Sequence, residues 1–236
     1  MEWKYLDTGK RTAAENMALD EAMLSELENE KRPILHLYDW VSEAVTHGHF
    51  IDPEKFLNMS GIEKRGLDLA KRPTGGGIVF HNCDLAFSVL LPAHHPAFSL
   101  NPLENYAFVN KAVAWAIHEM IPHSTELLAA EPKTIQEECR SFCMAKPTKY
   151  DVMVQGKKVG GAAQRKTRHG YLHQGSISLG HLSNDFLCEV LASETVVEGI
   201  KQNSFALLGD KWTNRELQEA RHHLRSLLQK AFLQVE

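Results

Sequence analysis

The chain has 236 residues, 43% apolar and 24% charged, an ordinary balance for a globular protein in water. Its 26 basic and 30 acidic residues leave a net charge of −4, which excludes the large positive excess of a protein that coats nucleic acid. No stretch approaches the ~18 consecutive apolar residues of a membrane span, and the opening Met1-Glu2-Trp3-Lys4 lacks the pattern of a signal peptide. Four cysteines, at 83, 139, 143 and 188, are too few and too unevenly spaced for a disulfide framework. The expectation is a cytoplasmic protein with reduced thiols.

Taken in chain order, Thr12-Ala13-Ala14-Glu15 is a capping box that opens a helix. Met17, Ala18, Leu19, Ala22, Met23 and Leu27 form its expected apolar stripe. Strands are predicted at Ile34–Tyr38, Ala44–His47, Ile78–Phe80 and Leu85–Leu91. Asn101-Pro102 starts a second helix, with proline where its missing N–H costs nothing. Leu103, Tyr106, Val113, Ile117 and Met120 line one face of it. Further strands are predicted at Tyr150–Val154, Lys158–Ala163 and Tyr171–Leu179, the first two joined as a hairpin through Gln155-Gly156-Lys157. Asn184 is the expected cap of a third helix ending near Leu191. Thr213-Asn214-Arg215-Glu216 is a second capping box, opening a helix with Leu217, Ala220, Leu224, Leu227, Leu228 and Ala231 inward. Strands grouped between helices predict an α+β layer fold. The spacing predicts one domain over residues 1–236, with no accessory domain after the last helix.

Two segments carry unusual chemistry. In Arg72-Pro73-Thr74-Gly75-Gly76-Gly77-Ile78-Val79-Phe80-His81, three glycines let backbone N–H groups approach a ligand, and Arg72 can place a positive fork on a carboxylate or phosphate. An isolated Gly-Gly-Gly is more often a tight turn, and this loop matches neither a Walker A loop nor a dinucleotide fingerprint. From Arg140 to Gly170 there are eight Lys/Arg residues and one acidic residue, Asp151. Such asymmetry in a net-acidic chain points to an anion or an acidic partner. Strand alternation places Lys157 and Lys158 on opposite faces, and Gly160-Gly161-Ala162-Ala163 then clears side chains from the strand. A solvated basic hairpin explains the charge but not the run of small residues.

The two segments together, with Asn16-Met17-Ala18-Leu19-Asp20-Glu21-Ala22, Gly156-Lys157-Lys158-Val159-Gly160-Gly161-Ala162-Ala163-Gln164-Arg165 and His173-Gln174-Gly175-Ser176, resemble the biotin/lipoate protein ligase superfamily. The closer match is to its lipoate–protein ligase A and cysteine-dependent octanoyltransferase branch, over about residues 1–210. The resemblance implies a mixed sheet flanked by helices. It implies an enzyme that attaches a lipoyl or octanoyl group to a lysine of lipoyl domains, those of 2-oxoacid dehydrogenases or the glycine cleavage H protein. It assigns the catalytic lysine to Lys158 and groups Arg72, Gly75, Gly76, Gly77, His81, Asp151, Gly160, Gly161 and Ala162 around the acyl group or its adenylate. Val79 is an expected neighbour of the acyl chain.

Two routes share this scaffold. A ligase uses ATP and Mg²⁺ as co-substrates to make an acyl-adenylate, whereas a transferase takes octanoate from an acyl carrier protein through a cysteine thioester. No tightly bound cofactor is expected in either. Cys143 discriminates them: Cys143-Met144-Ala145-Lys146-Pro147, followed by Tyr150-Asp151, resembles the nucleophile region of the octanoyltransferases. Lys146, Lys149 and Lys158 supply positive charge that favours the reactive thiolate. Asp84-Leu85-Ala86-Phe87-Ser88 also resembles the transferases, whereas Gly75-Gly76-Gly77-Ile78-Val79-Phe80-His81 leans toward the ligases, which continue with Asp where this chain has Asn82. The transferase is favoured, the ATP-dependent ligase is the alternative, and a noncatalytic binding protein on the same fold is a remoter one.

The remaining signals are weaker. Cys139 and Cys143, His47 and His49, and His94 and His95 lack the companion ligands of a metal centre, so no metal site is expected. Cys83 near His81 suggests a Cys/His hydrolase, but no third orienting residue is identifiable. Biotin attachment is disfavoured because the biotin enzymes' Gly-Arg-Gly-Arg type of loop is absent. The basic stretch from Arg140 to Arg168 is the expected docking face for an acidic lipoyl domain.

Overall fold

A seven-stranded mixed sheet forms the centre of the computed structural model, which describes residues 2–132 and 135–234. In spatial order its strands are β1 (Lys4–Arg11), β2 (Ile34–Trp40), β6 (Asp84–Pro92), β10 (Gly170–Ser178), β9 (Lys157–Thr167), β8 (Val152–Val154) and β7 (Thr125–Leu127). β1 and β2 run parallel, and every other neighbouring pair is antiparallel. All nine residues of β6 are buried, because both faces of this central strand are covered. Leu85, Phe87, Val89 and Leu91 pack under α3 (Pro102–Met120) and α6 (Asn214–Gln234), against residues such as Val113, Ile117, Leu224 and Leu228. The six inward positions expected of the last helix are all buried.

The opposite face carries α1 (Ala13–Ser25) and a small sheet in the order β4 (Asp68–Lys71), β3 (Ala44–His47), β5 (Ile78–His81). Short helices α2 (Met59–Lys64), α4 (Asn184–Val190) and α5 (Glu194–Asn203) close a separate apolar cluster beneath β5. The predicted capping box at Thr12 is present, but the inward stripe of α1 differs from the apolar reading. Ala18 and Ala22 face solvent, while Ala13, Asn16, Met17, Asp20 and Leu24 are buried. The two polar residues are inward because each is bonded there. Asn16 Nδ2 donates to the Asp39 carbonyl at 2.9 Å. Asp20 receives Ser88 Oγ at 2.6 Å and Gln174 Nε2 at 2.7 Å, and lies 2.8 Å from His36 Nδ1. One carboxylate thereby ties α1 to β2, β6 and β10.

The predicted strands are present, with β9 extended to Thr167, except that β8 begins at Val152 rather than Tyr150, because Tyr150 turns the chain at φ 70°. Strands β1, β4 and β7 and helices α2 and α5 lie outside those predictions, and Ser183 rather than Asn184 caps α4. The hairpin from β8 to β9 turns through Gln155 and Gly156, both at positive φ (52° and 73°), the geometry of a two-residue primed turn. Among the described residues no helix is long and apolar enough to cross a membrane.

Asp20→Ala strands three buried partners, and a loss of about 3–5 kcal/mol is expected. Urea unfolding checks it, with Asp20→Asn expected to lose less because its amide oxygen still accepts.

Candidate active site

A narrow, mostly apolar cavity lies on the α1 face of the large sheet. Met17, Tyr38, Val79 and Met144 line it, with Arg72, Cys143, Gly161, Ala162, Ala163, Gln174 and Ser176. The glycine loop borders it. Gly76 sits at φ 84°, and a Cβ there would stand 3.3 Å from Ala163 Cβ, 3.4 Å from Arg72 and 3.8 Å from Cys143 Sγ. Gly48 lets the loop settle, since a Cβ at 48 would overlap the Gly75 and Gly76 carbonyls.

Arg72 is 5% exposed and holds this loop from within. Its NH1 donates to Thr46 O (3.1 Å) and Thr46 Oγ1 (2.8 Å), and its NH2 to Gly77 O (2.7 Å) and Gly75 O (3.2 Å). All four acceptors are neutral, and among the described residues no carboxylate pairs with the guanidinium. Burial draws the Arg72 pKa down, while neighbouring Cys143 and Tyr38 act in the opposite direction. The result is a buried cation facing a cavity lined, among the described residues, by no carboxylate.

His81 supports Arg72 from behind. Its Nε2 lies 2.8 Å from Thr46 Oγ1, its Nδ1 lies 2.8 Å from Asp84 Oδ2, and its ring stacks on Trp40 at 4.3 Å. Since Thr46 Oγ1 accepts from Arg72, its own proton is assigned to His81 Nε2, which leaves Nδ1–H to donate to Asp84. Ser176 Oγ donates to the same Asp84 oxygen at 2.7 Å. Burial raises the Asp84 pKa, but His81, Ser176 and Arg221 outweigh it and hold the carboxyl below its ordinary value. On the other side, Thr74 Oγ1 donates to Gln174 Oε1 at 2.7 Å, joining the loop to the Asp20 cluster.

Lys158 reaches the site by way of an irregular strand. Met153 pairs with Lys158 and Val152 with Gly160, so Val159 is an extra residue in β9. A bulge of this kind re-aims side chains. Val159 is in the core under α3, and a Cβ on Gly160 would contact Val113 and Val152 there. Lys158 and Gly161 share the opposite face, where a Cβ at 161 would overlap Lys158 Cε. Lys158 Nζ lies 2.7 Å from Asp151 Oδ2 and donates to Lys146 O at 3.4 Å. Asp151 also accepts from Thr148 N (2.6 Å) and Thr148 Oγ1 (2.9 Å). The preceding Tyr150 adopts φ 70°, and Asn110 Nδ2 donates to its carbonyl at 2.8 Å.

The structure thus gathers Arg72, Gly76, His81, Cys143, Gly161 and Ala162 at the cavity, with Lys158 and Asp151 beside Gly161. Gly75 and Gly77 contribute carbonyls to Arg72, and Gly160 lies on the other face of the sheet. Of the four thiols, Cys143 alone lines this cavity. Cys83 donates to Gly180 O at 2.9 Å and is pushed by burial to about 12. Cys139 is buried against Gly199, and Cys188 is exposed. Thr46, Thr74 and Gln174 are site residues that the sequence reading did not single out. Gln174 sat within a quoted motif, whereas nothing near Thr46 in the chain marks it.

His173, in that same motif, faces away. Gln164 Nε2 donates to its Nδ1 at 2.8 Å, and complete burial lowers its pKa to about 3. An unfolded histidine binds a proton near pH 6.5 and the native one does not. Its neutral burial is therefore without penalty above pH 6.5. As pH falls from 6.5 toward 3, stability is expected to decline by up to about 1.4 kcal/mol per pH unit. Urea unfolding at pH 7 and pH 5 measures this, with a shallower slope expected in His173→Gln.

Comparisons with known proteins bear on the family and the fold. The sequence model of the lipoyl protein ligase A/B catalytic domain matches residues 12–204. The octanoyltransferase LipM of Anoxybacillus flavithermus is 32% identical over 210 residues, covering 85% of this chain and 74% of that protein. LipM of Bacillus subtilis is 30% identical over 212 residues, covering 85% and 74%. Among solved structures, a bi-partite lipoate protein ligase from Thermoplasma acidophilum superposes with a TM-score of 0.74 at 21% identity, covering 100% of this chain and 84% of that one. Lipoate-protein ligase A bound with ATP superposes at 0.69 with 22% identity, covering 99% and 95%. At these identities the structures establish the shared α+β fold, and the match over residues 12–204 establishes that the chain belongs to the lipoyl protein ligase A/B catalytic domain family.

Proposed function

We propose that the protein is an octanoyltransferase that carries octanoate from an acyl carrier protein to a lysine of a lipoyl domain, through a thioester on Cys143. The observation that carries this reading is the position of Cys143. It lines the same narrow cavity as a buried guanidinium whose four hydrogen bonds to oxygen end on neutral groups, and it is the neighbour that most opposes the effect of burial on that cation. A thiolate or a developing oxyanion supplies the charge that Arg72 lacks. The relatives named octanoyltransferase, at 30–32% identity, support the same reaction.

In the first step Cys143 Sγ bonds to the acyl carbon, the donor's C–S bond breaks, and the departing thiolate takes a proton. In the second, the neutral lysine amine bonds to that carbon and the bond to Cys143 breaks, releasing one proton and restoring the thiolate. Lys158, oriented by Asp151, is assigned as the cation that neutralises charge on the acyl oxygen. Met17, Val79 and Met144 flank the alkyl chain, and Gly161 and Ala162 leave room for it. ATP and Mg²⁺ take no part in this route, which runs in a single catalytic domain and suits the reducing cytoplasm. The acceptor is a lipoyl domain of a 2-oxoacid dehydrogenase or a glycine cleavage H protein. The Thermoplasma protein was solved in a study that includes its E2 lipoyl domain. Of the basic residues between 140 and 168, Lys158 is buried and Arg165 is paired with Glu21, so docking falls to the others, with Lys157 exposed at the hairpin.

Intact-protein mass spectrometry after incubation with octanoyl-acyl carrier protein tests the reading. A hydroxylamine-labile octanoyl adduct is expected, absent in Cys143→Ala. Lys158→Ala is expected to fold yet transfer at least ~100-fold more slowly. Gly161→Ala, which displaces Lys158, is expected to lose about 100-fold with its native circular dichroism retained. No adduct, together with ATP-dependent attachment of lipoate to a lipoyl domain, would establish the ligase and leave Cys143 as part of the cavity wall.

A further inference from the structure

The short turn that carries Asp151 holds an aromatic residue in a conformation it does not favour. Asp151 N–H donates to Thr148 O at 3.0 Å, closing a four-residue turn over Lys149 and Tyr150. Tyr150 stands third in that turn at φ 70°, the position that type II turns give to glycine or asparagine. Among the described residues the only other non-glycine at positive φ is Gln155, in the turn between β8 and β9. A left-handed conformation crowds the Cβ against the following carbonyl oxygen, so it persists only where the surroundings impose it.

Four backbone groups fix Tyr150 and Asp151, and each has a partner. Tyr150 N–H donates to Leu128 O (2.8 Å), Leu128 N–H donates to Asp151 O (2.9 Å), and Asp151 N–H is used within the turn. The fourth group, the Tyr150 carbonyl, accepts from Asn110 Nδ2 at 2.8 Å. Of these four bonds, only this one comes from a side chain. Asn110 is 3% exposed, on a side of α3 that also buries Val109, Val113 and Ile117. A buried amide among apolar neighbours is costly unless it is bonded, and its bond goes to the strained residue.

The turn in its place holds the partner of Lys158. Asp151 Oδ2 accepts from Thr148 N and Thr148 Oγ1 and lies 2.7 Å from Lys158 Nζ, while Oδ1 is turned toward Gly161. The carboxylate is seated on its own turn, and the ammonium on the carboxylate. We propose that Asn110 is a positioning residue: by holding Tyr150 in the left-handed region it fixes Asp151, and through Asp151 the Lys158 ammonium beside the cavity. The proposal rests on the reading of Lys158 as the cation that neutralises the acyl oxygen. To that reading it adds the residue, on a helix of the opposite layer, that sets where the cation stands.

Glycine adopts φ 70° without restraint, so Tyr150→Gly is expected to make Asn110 dispensable. The maximal single-turnover rate of octanoyl transfer is expected to be about 10-fold lower in Asn110→Leu, with the half-saturating donor concentration changed less than about twofold. In Asn110→Leu/Tyr150→Gly the rate is expected to return to within about threefold of the parent. A role confined to packing α3 predicts no such recovery, because glycine at 150 adds nothing to the core. The ¹³Cε resonance of Lys158, assigned by its loss in Lys158→Ala, reports the surroundings of the ammonium whichever reaction the enzyme runs. It is expected to move in Asn110→Leu and to return in the double variant. If Asn110→Leu alone does not fold, recovery of the fold and the resonance in the double variant supports the same role. An unmoved resonance in Asn110→Leu, or a double variant no better than the single one, would overturn it. Absence of a Cys143 adduct in the parent would instead overturn the transferase reading, while the resonance would still decide the role of Asn110.

Discussion

A buried guanidinium that meets no carboxylate among the described residues is the constraint around which this protein is organised. Removing Arg72 from water costs several kcal/mol, and hydrogen bonds to neutral oxygens offset only part of that cost. Those bonds nevertheless determine the local backbone. Two of them draw the Gly75 and Gly77 carbonyls inward, and two fasten the cation to Thr46 on the adjoining strand. The same arrangement that shapes the loop leaves a positive field inside an apolar cavity, where charges interact far more strongly than in water. An anion inside the cavity is the kind of species such a field stabilises.

Two carboxylates anchor the site without entering the cavity beside Cys143. Asp84 acts through His81 and Thr46 on Arg72, and Asp20 acts through Gln174 on Thr74. Each acts through a hydrogen-bonded relay, so the loop is braced from both sides. Lys158 is arranged differently, since Asp151 contacts its amine directly at 2.7 Å. One cation is thus neutralised locally and the other is not, and the uncompensated one is beside the thiol.

The fold was legible wherever local chemistry and burial agreed. Thr12 and Thr213 announced their helices because a capping box is a contract between residues three apart. Strands β2, β5 and β6 announced themselves by buried, largely apolar runs. Strand β1 did not, because Lys4–Arg11 is a polar edge with Gly9 at φ 65° and a register shift between Asp7 and Lys10. The six-residue α2 is too short to carry a period. In the site, Arg72, Cys143 and Lys158 were identified through motifs. Thr46 was not, because its importance lies in bonds to residues 26 and 35 positions away. Gly160 and Gly161 looked equivalent in sequence but lie on opposite faces, since no local signal located the bulge between them and Lys158.

That bulge divides β9 into two phases. Before it an even-numbered residue, Lys158, faces the site; after it the odd-numbered Gly161, Ala163 and Arg165 do. Removing one residue between 158 and 161 would restore regular alternation and turn either the lysine or the small-residue lining toward α3. The segment is therefore constrained in length as well as in composition. Homologous chains could vary Val159 among apolar residues at little cost, yet tolerate no shortening there, because the position of the ammonium group is set by a count of peptide units.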